Sequence, residues 1–398
     1  MPQSTPHDFP FARHNLLDIS PQLDRLRTEE PVSQVRLASG DVAWLVTRYE
    51  DVKFVLGDPR FSMHKASDED APELMPMVKL YPGLFSLDGV EHTLSRRLLA
   101  RALRRRDTEA FRGGLAKTAD DLSVQLAAAS PPADLLDDFC APLVSKVACE
   151  LLGLTSKQLE LFRAHFRPII TIGALASVDI EAHWEPLRDL VLGLLDARRS
   201  QPSHDMISDL ITENTGDRVV TDANLIGLTF SLISSLGNTP LTQLSYGLAT
   251  LLNHPDQWQL LVNQPELINS ATAEILRYGV AFEVEHIRIA NENVEVAGAR
   301  IAAGDAVLTS IAAANRDSSH FTNGARFDIT NTVTRHLAFG HGPHLCAGAD
   351  LGHHMLRSSL LSLTRLLPDL RLAVPHRELT LREKDSHSFS LGSVPVRW

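Results

Sequence analysis

Cysteine is scarce: 398 residues carry three, Cys140, Cys149 and Cys346. An odd, sparse set excludes a disulfide framework and points to a reducing compartment, so a cytoplasmic protein is expected. Long apolar runs are missing. Nothing approaches the ~20 apolar residues of a membrane span, and the opening MPQSTPHDFPFARH has no signal-peptide core. Gly-, Ser- or Pro-rich linkers, repeats and low-complexity stretches are absent too. One domain spanning 1–398, monomeric and away from membranes, is the expectation. Positive charge is in deficit: the net value is −11, which excludes general nucleic-acid binding.

What is present is 44% hydrophobic residues, enough for a large core. Apolar residues recur at three and four spacing in SPQLDRLRTEE, YEDVKFVLGD, HTLSRRLLARAL and PLRDLVLGLLDARR, which predicts helices. Strand-like alternation is confined to VSQVRLASGDVAWLVTR, read as a hairpin turning near Ser39-Gly40, to HIRIANENVEVAGARIAAGDAVLTS, and to the tail FSLGSVPVRW. The fold class is mainly α with small β-sheets. Cys140 and Cys149 fall at amphipathic helical spacing and read as buried core thiols. The longest predicted helix opens at the N-cap pair Thr221-Asp222 and runs to about His254. It is apolar on nearly every face and should be buried centrally. Pro240 cannot donate to the Leu236 carbonyl, so a kink is expected there, either a harmless bend or a widened groove for a small ligand.

The segment HLAFGHGPHLCAGADLG sets Phe339, Gly340, Gly342, His344, Cys346 and Gly348 in the pattern F-G-x-G-x-H-x-C-x-G. The glycines permit a tight loop. Cys346 precedes a predicted helix, where the dipole and free N–H groups favour a thiolate, the form an axial haem ligand takes. Gly348 would let the helix approach a flat macrocycle, and Phe339 is placed to shield the sulfur. His336, His341 and His344 are near, but a structural zinc site wants more thiolates or a second ligand pair.

This segment resembles the haem-binding loop of the cytochrome P450 superfamily, and the likeness extends over nearly the whole chain. The resemblance implies a cytochrome P450 fold, with haem b between the long central helix and the helix that follows Cys346. It implies that Glu274 and Arg277 (EILR), with Arg326 or its neighbour in HFTNGARFD, lock the core. It assigns His92, Arg96, Arg288 and His344 to the haem propionates. It makes Thr239, sixteen residues before Pro255, the hydroxyl that guides protons to the oxygen being activated. Asn238 stands where the family usually has an acid, and an amide cannot titrate as a proton carrier. Electrons are expected from NAD(P)H through a ferredoxin reductase and a ferredoxin. Arg96, Arg97, Arg101, Arg104, Arg105 and Arg106 are either that acidic partner's docking face or a solvated helix face.

By the same resemblance, substrate walls come from Met63, Phe85 and Leu87 in the 84–87 stretch, Ile233, Ser234, Phe282, Val284, His286, and the His387, Ser388, Phe389 turn. PFAR, AWLV, RFSM, HLAFGHG and PVRW are similar to segments of members that oxidise cyclodipeptides, mycocyclosin synthase among them. Three functions follow as expectations. One is oxidation of a cyclodipeptide (diketopiperazine), by C–C or C–N coupling or hydroxylation, in secondary-metabolite biosynthesis. Another is conventional hydroxylation of a terpene, polyketide or fatty acid. The third is a haem-binding sensor or carrier without turnover.

Overall fold

A computed structural model describes residues 5–13, 15–75, 77–80, 83–171, 179–217, 220–332, 335–382 and 390–398. The strand signals form two clusters that meet in one sheet. Strands β1 (His7–Asp8), β2 (Val32–Arg36), β3 (Val42–Val46), β4 (Phe61–Ser62), β5 (Arg288–Ala290) and β8 (Ala306–Thr309) pair in the order β1-β2-β3-β8-β5-β4, while β6 (Val294–Val296) and β7 (Ala299–Ile301) make a separate ribbon. The predicted hairpin is β2–β3, in register from Val32↔Val46 to Arg36↔Val42. Gly40 supplies the positive φ of its turn. The parallel β3–β8 pair brings residues near 306 beside residues near 44, and β5 then holds Arg288 opposite Val307. The tail joins a second sheet as Pro395–Arg397, between Arg371–Leu372 and Ala133–Asp134.

Eight helices carry the functional argument: α1 (Gly89–Arg106), α2 (Ala141–Leu152), α3 (Ser156–Ile169), α4 (Met206–Asp217), α5 (Asp222–Gly237), α6 (Thr239–Leu252), α7 (Ile268–Tyr278) and α8 (Ala349–Leu366). The Thr221 side chain accepts from the Asn224 N–H and caps α5, as its sequence position suggested. Nearly every side chain of α5 and α6 is buried, so the pair runs through the core.

The single long helix expected over about 221–254 is instead two. The chain breaks at Asn238, with φ −123° and ψ −52°, and Pro240 restarts it in the first turn of α6. The missing proline N–H and the ring's crowding of the preceding turn explain a break where only a kink was expected. Among the described residues no single helix is long and apolar enough to cross a membrane.

Candidate active site

The Cys346 loop is shaped by two glycines in the left-handed region, Gly340 (φ +74°) and Gly342 (φ +72°). A Cβ on Gly342 would fall 2.8 Å from the Leu56 carbonyl oxygen, so only glycine lets the loop press against the helix Tyr49–Gly57. The Cys346 N–H donates to the Phe339 carbonyl at 2.8 Å, and α8 begins at Ala349. The sulfur opens into a cavity of about 320 Å³, which lies under α5 and α6 on its far side.

Burial pushes the thiol up, while the Gly348 N–H at the helix start and the Arg96 charge pull it down.

Histidines and arginines gather on one wall. His92 is buried with its Nε2 unpartnered, and the Arg288 Nε is likewise buried without a partner. Arg96 donates to the Leu345 carbonyl. His344 Nε2 lies 3.4 Å from Asp88 Oδ1, while Asp88 Oδ2 accepts from Ser62 Oγ (2.6 Å) and the His64 N–H (3.0 Å). These bonds hold the Asp88 carboxyl well below the usual range against the opposing effect of burial. Burial is also the main reason His92 and His286 are pushed down to about 4 and Arg288 is lowered.

Buried donors left unpaired are costly unless something anionic meets them. The site suits a flat dianionic cofactor on that test. A Cβ on Gly348, which faces the cavity, would meet no protein atom within 4 Å, so the floor there is open to a planar group. Phe339, Gly340 and Gly348 line the same floor.

Glu274 and Arg277 sit behind the cavity, fully buried, paired through Nε–Oε2 and Nη2–Oε1 at 2.7 Å each. Arg277 donates on to the carbonyls of Asn315, Gly324 and Arg326. Glu274 accepts from the Asp328 N–H at 2.9 Å. The third partner is thus main chain, not the Arg326 guanidinium, which is exposed. Carbonyl groups can take that role from any residue type, which is why side-chain identity did not reveal it.

Met63, Phe85, Ser234, Phe282, Val284 and His286 line the cavity, as do Asn238 and Thr239. Leu87 and Ile233 do not. Both are buried away from it; on α5 the lining face runs through Leu228, Ser231, Leu232, Ser234 and Ser235, and Ile233 points off it. His387, Ser388 and Phe389 lie outside the described residues. Sequence reasoning missed Met75, Met77, Phe166, Ile170 and Gln243, which also line the cavity. Only the i, i+4 spacing of Phe166 and Ile170 hinted at a shared face.

The arginine run divides. Arg101 and Arg105 pair with Glu213, and Arg105 and Arg106 pair with Asp209, all on α4. Arg97 and Arg104 are exposed, with no acidic partner in any ion pair among the described residues. Half of the expected docking charge is spent inside the protein.

A cavity with a cysteine sulfur on its floor, buried unpartnered donors at its edge and a broken helix as its roof fits a haem-thiolate site. Comparison with known proteins agrees. The family profile described as Cytochrome P450 matches residues 257–398. Nocardicin C N-oxygenase of Nocardia uniformis subsp. tsuyamanensis is 35% identical, covering 100% of both chains. Mycinamicin IV hydroxylase/epoxidase of Micromonospora griseorubida is 35% identical, covering 96% of each. The crystal structure of HinD with NMFT and NO superposes with a TM-score of 0.93 at 34% identity, covering 100% of both chains.

The chain belongs to the bacterial cytochrome P450 family. That family binds haem b through a cysteine thiolate.

Proposed function

We propose that this cytochrome P450 tailors a compact, semi-polar natural product, a cyclodipeptide by preference. The observation that carries the reading is the cavity: methionine and aromatic walls interrupted by Ser231, Ser234, Ser235 and His286, over the Cys346 loop. Apolar walls with a few convergent polar groups suit a small ring bearing amide donors and acceptors. Conventional hydroxylation or N-oxidation of another natural product is the second reading, favoured by the names of the two relatives.

Cys346 would hold the haem iron through its sulfur. The haem, when bound, would supply oxygen activation, and its positive iron would offset the burial that opposes the thiolate. His92, Arg96, Arg288 and His344 would hold the propionates. The Thr239 hydroxyl holds and passes a proton on the oxygen side. Asn238 orients it by donating and accepting hydrogen bonds without titrating, so water brings the protons. Phe85, Phe282 and Val284 orient substrate and exclude bulk water. A ferredoxin, reduced by its NAD(P)H-dependent reductase, docks at Arg97 and Arg104, and the protein works in the cytoplasm as a single-domain monomer.

Spectral titration of the purified holoprotein with a cyclodipeptide panel tests the substrate, followed by mass spectrometry of turnover products. A low-to-high-spin shift with aromatic cyclodipeptides, and none with terpenes or fatty acids, is expected. The opposite pattern transfers the assignment to the second reading. Thr239→Ala should divert oxygen to peroxide, and unchanged coupling would remove its role. Asn238→Asp should change the solvent isotope effect on turnover. Cys346→Ala should abolish the red-shifted carbon monoxide band.

A further inference from the structure

The break between α5 and α6 leaves an orphaned carbonyl. In a continuous helix the Gly237 carbonyl would accept from the Leu241 N–H. Here the Leu241 N–H bonds Asn238 O at 3.1 Å, and Thr242 N–H bonds the same oxygen at 3.3 Å. The Gly237 carbonyl is met instead by Arg163 of α3, whose Nε donates to it at 2.7 Å. The same guanidinium is anchored from the other side, Nη1 donating to Ser145 Oγ of α2 at 2.8 Å. Its Nη2 is buried without a partner. A guanidinium holding two points at fixed geometry is a brace rather than a loose charge. The fit is close, since a Cβ on Gly237 would come within 2.9 Å of Leu159, one turn before Arg163 on the same helix.

We propose that Arg163 is a positioning residue for oxygen activation: by holding the Gly237 carbonyl it fixes the break that presents Asn238 and Thr239 to the cavity. The inference rests on the oxygen-side reading of those two residues. It goes further in assigning the support of that arrangement to α3. One turn beyond Arg163, Phe166 lines the substrate cavity, and Ile170 follows at the end of the helix. A substrate pressing on Phe166 therefore pushes the helix that braces the break. Substrate fit and proton delivery are coupled through a single rigid element, with no residue shared between them.

The test uses the holoprotein with carbon monoxide as the probe. In Arg163→Met the absorption of the reduced carbonyl form should stay at its sulfur-ligated position. Its infrared C–O stretch should shift or broaden, because the Asn238 and Thr239 dipoles beside the ligand are no longer held. Backbone amides of Asn238, Leu241 and Thr242 should exchange about tenfold faster or more, the expected loss for a hydrogen bond from a charged donor. Arg163→Lys, which reaches one partner but not both, should fall between. Ser145→Ala should move the band in the same direction by less.

An unmoved C–O band with unchanged exchange in Arg163→Met overturns the proposal. If that variant does not fold, an unmoved band in both Arg163→Lys and Ser145→Ala overturns it equally. Failure of the underlying reading looks different: Thr239→Ala would then leave both the band and the coupling intact.

Discussion

The imidazoles of His92 and His344 lie 4.1 Å apart, and of the two only His344 reaches a carboxylate, Asp88. Burial depresses both, and each ring further depresses the other or its neighbouring arginines do, so the apoprotein resists protonating this wall. His92, His286 and His336 are all pushed down to about 4. Between about pH 6.5 and 4 the unfolded chain therefore binds more protons than the folded one, and folding stability is lost as pH falls. The slope is up to about 1.4 kcal/mol per pH unit for each histidine. Urea midpoints of the haem-free protein should fall steeply from pH 7 to 5. A flat profile over that interval would contradict the burial of these rings.

Removing Arg277 strands the buried Glu274 charge and three carbonyls. Arg277→Leu should cost about 3–5 kcal/mol in a denaturant titration. Arg277→Lys should rescue little, because one ammonium cannot reach Asn315, Gly324 and Arg326 together while still holding the carboxylate. Full rescue by lysine would mean that charge, not the fork, is what the site needs.

Gly352 separates packing from cofactor. A Cβ there would lie 3.2 Å from the Phe339 ring, and Phe339 accepts the Cys346 N–H. Gly352→Ala should cost about 1–3 kcal/mol by overpacking and should shift the reduction potential, since a hydrogen bond at Cys346, the proposed haem ligand, is disturbed. Gly348→Ala should leave apoprotein stability nearly unchanged but weaken haem retention. The two effects are read by thermal melts of apoprotein and by haem transfer to apomyoglobin.

Charge reversal distinguishes the two groups of arginines. Arg97→Glu with Arg104→Glu should slow reduction by an acidic ferredoxin about tenfold or more at low ionic strength, with the difference shrinking as salt rises. Arg105→Glu should instead loosen α1 from α4, lowering the melting temperature, because its charge is met by Glu213 and Asp209. Equal slowing by both would mean the paired arginines also face the partner.

Much of this was legible in the chain. Six fixed positions around Cys346 identified the loop, because a tight turn, a thiolate and a flat cofactor each demand a specific residue type. The β2–β3 hairpin was legible because alternation flanks Gly40. Other features depend on partners far away in sequence. Ile233 and Ser234 look alike on an apolar helix, and only the position of the cavity tells which faces it. Arg163 carries no signal of its own in the sequence, since its target is a backbone carbonyl left free where the helix breaks before Pro240. The main-chain partners of Arg277 were invisible because every residue type carries a carbonyl.

Of the chain's six methionines, Met63, Met75, Met77 and Met355 line the cavity. Thioethers are conformable, so they let the walls adapt to more than one guest. They are also readily oxidised, and sulfoxide formation would turn that soft lining polar and chiral. Peroxide released inside the pocket would meet this lining first, so uncoupled turnover would harden the very walls that let it adapt.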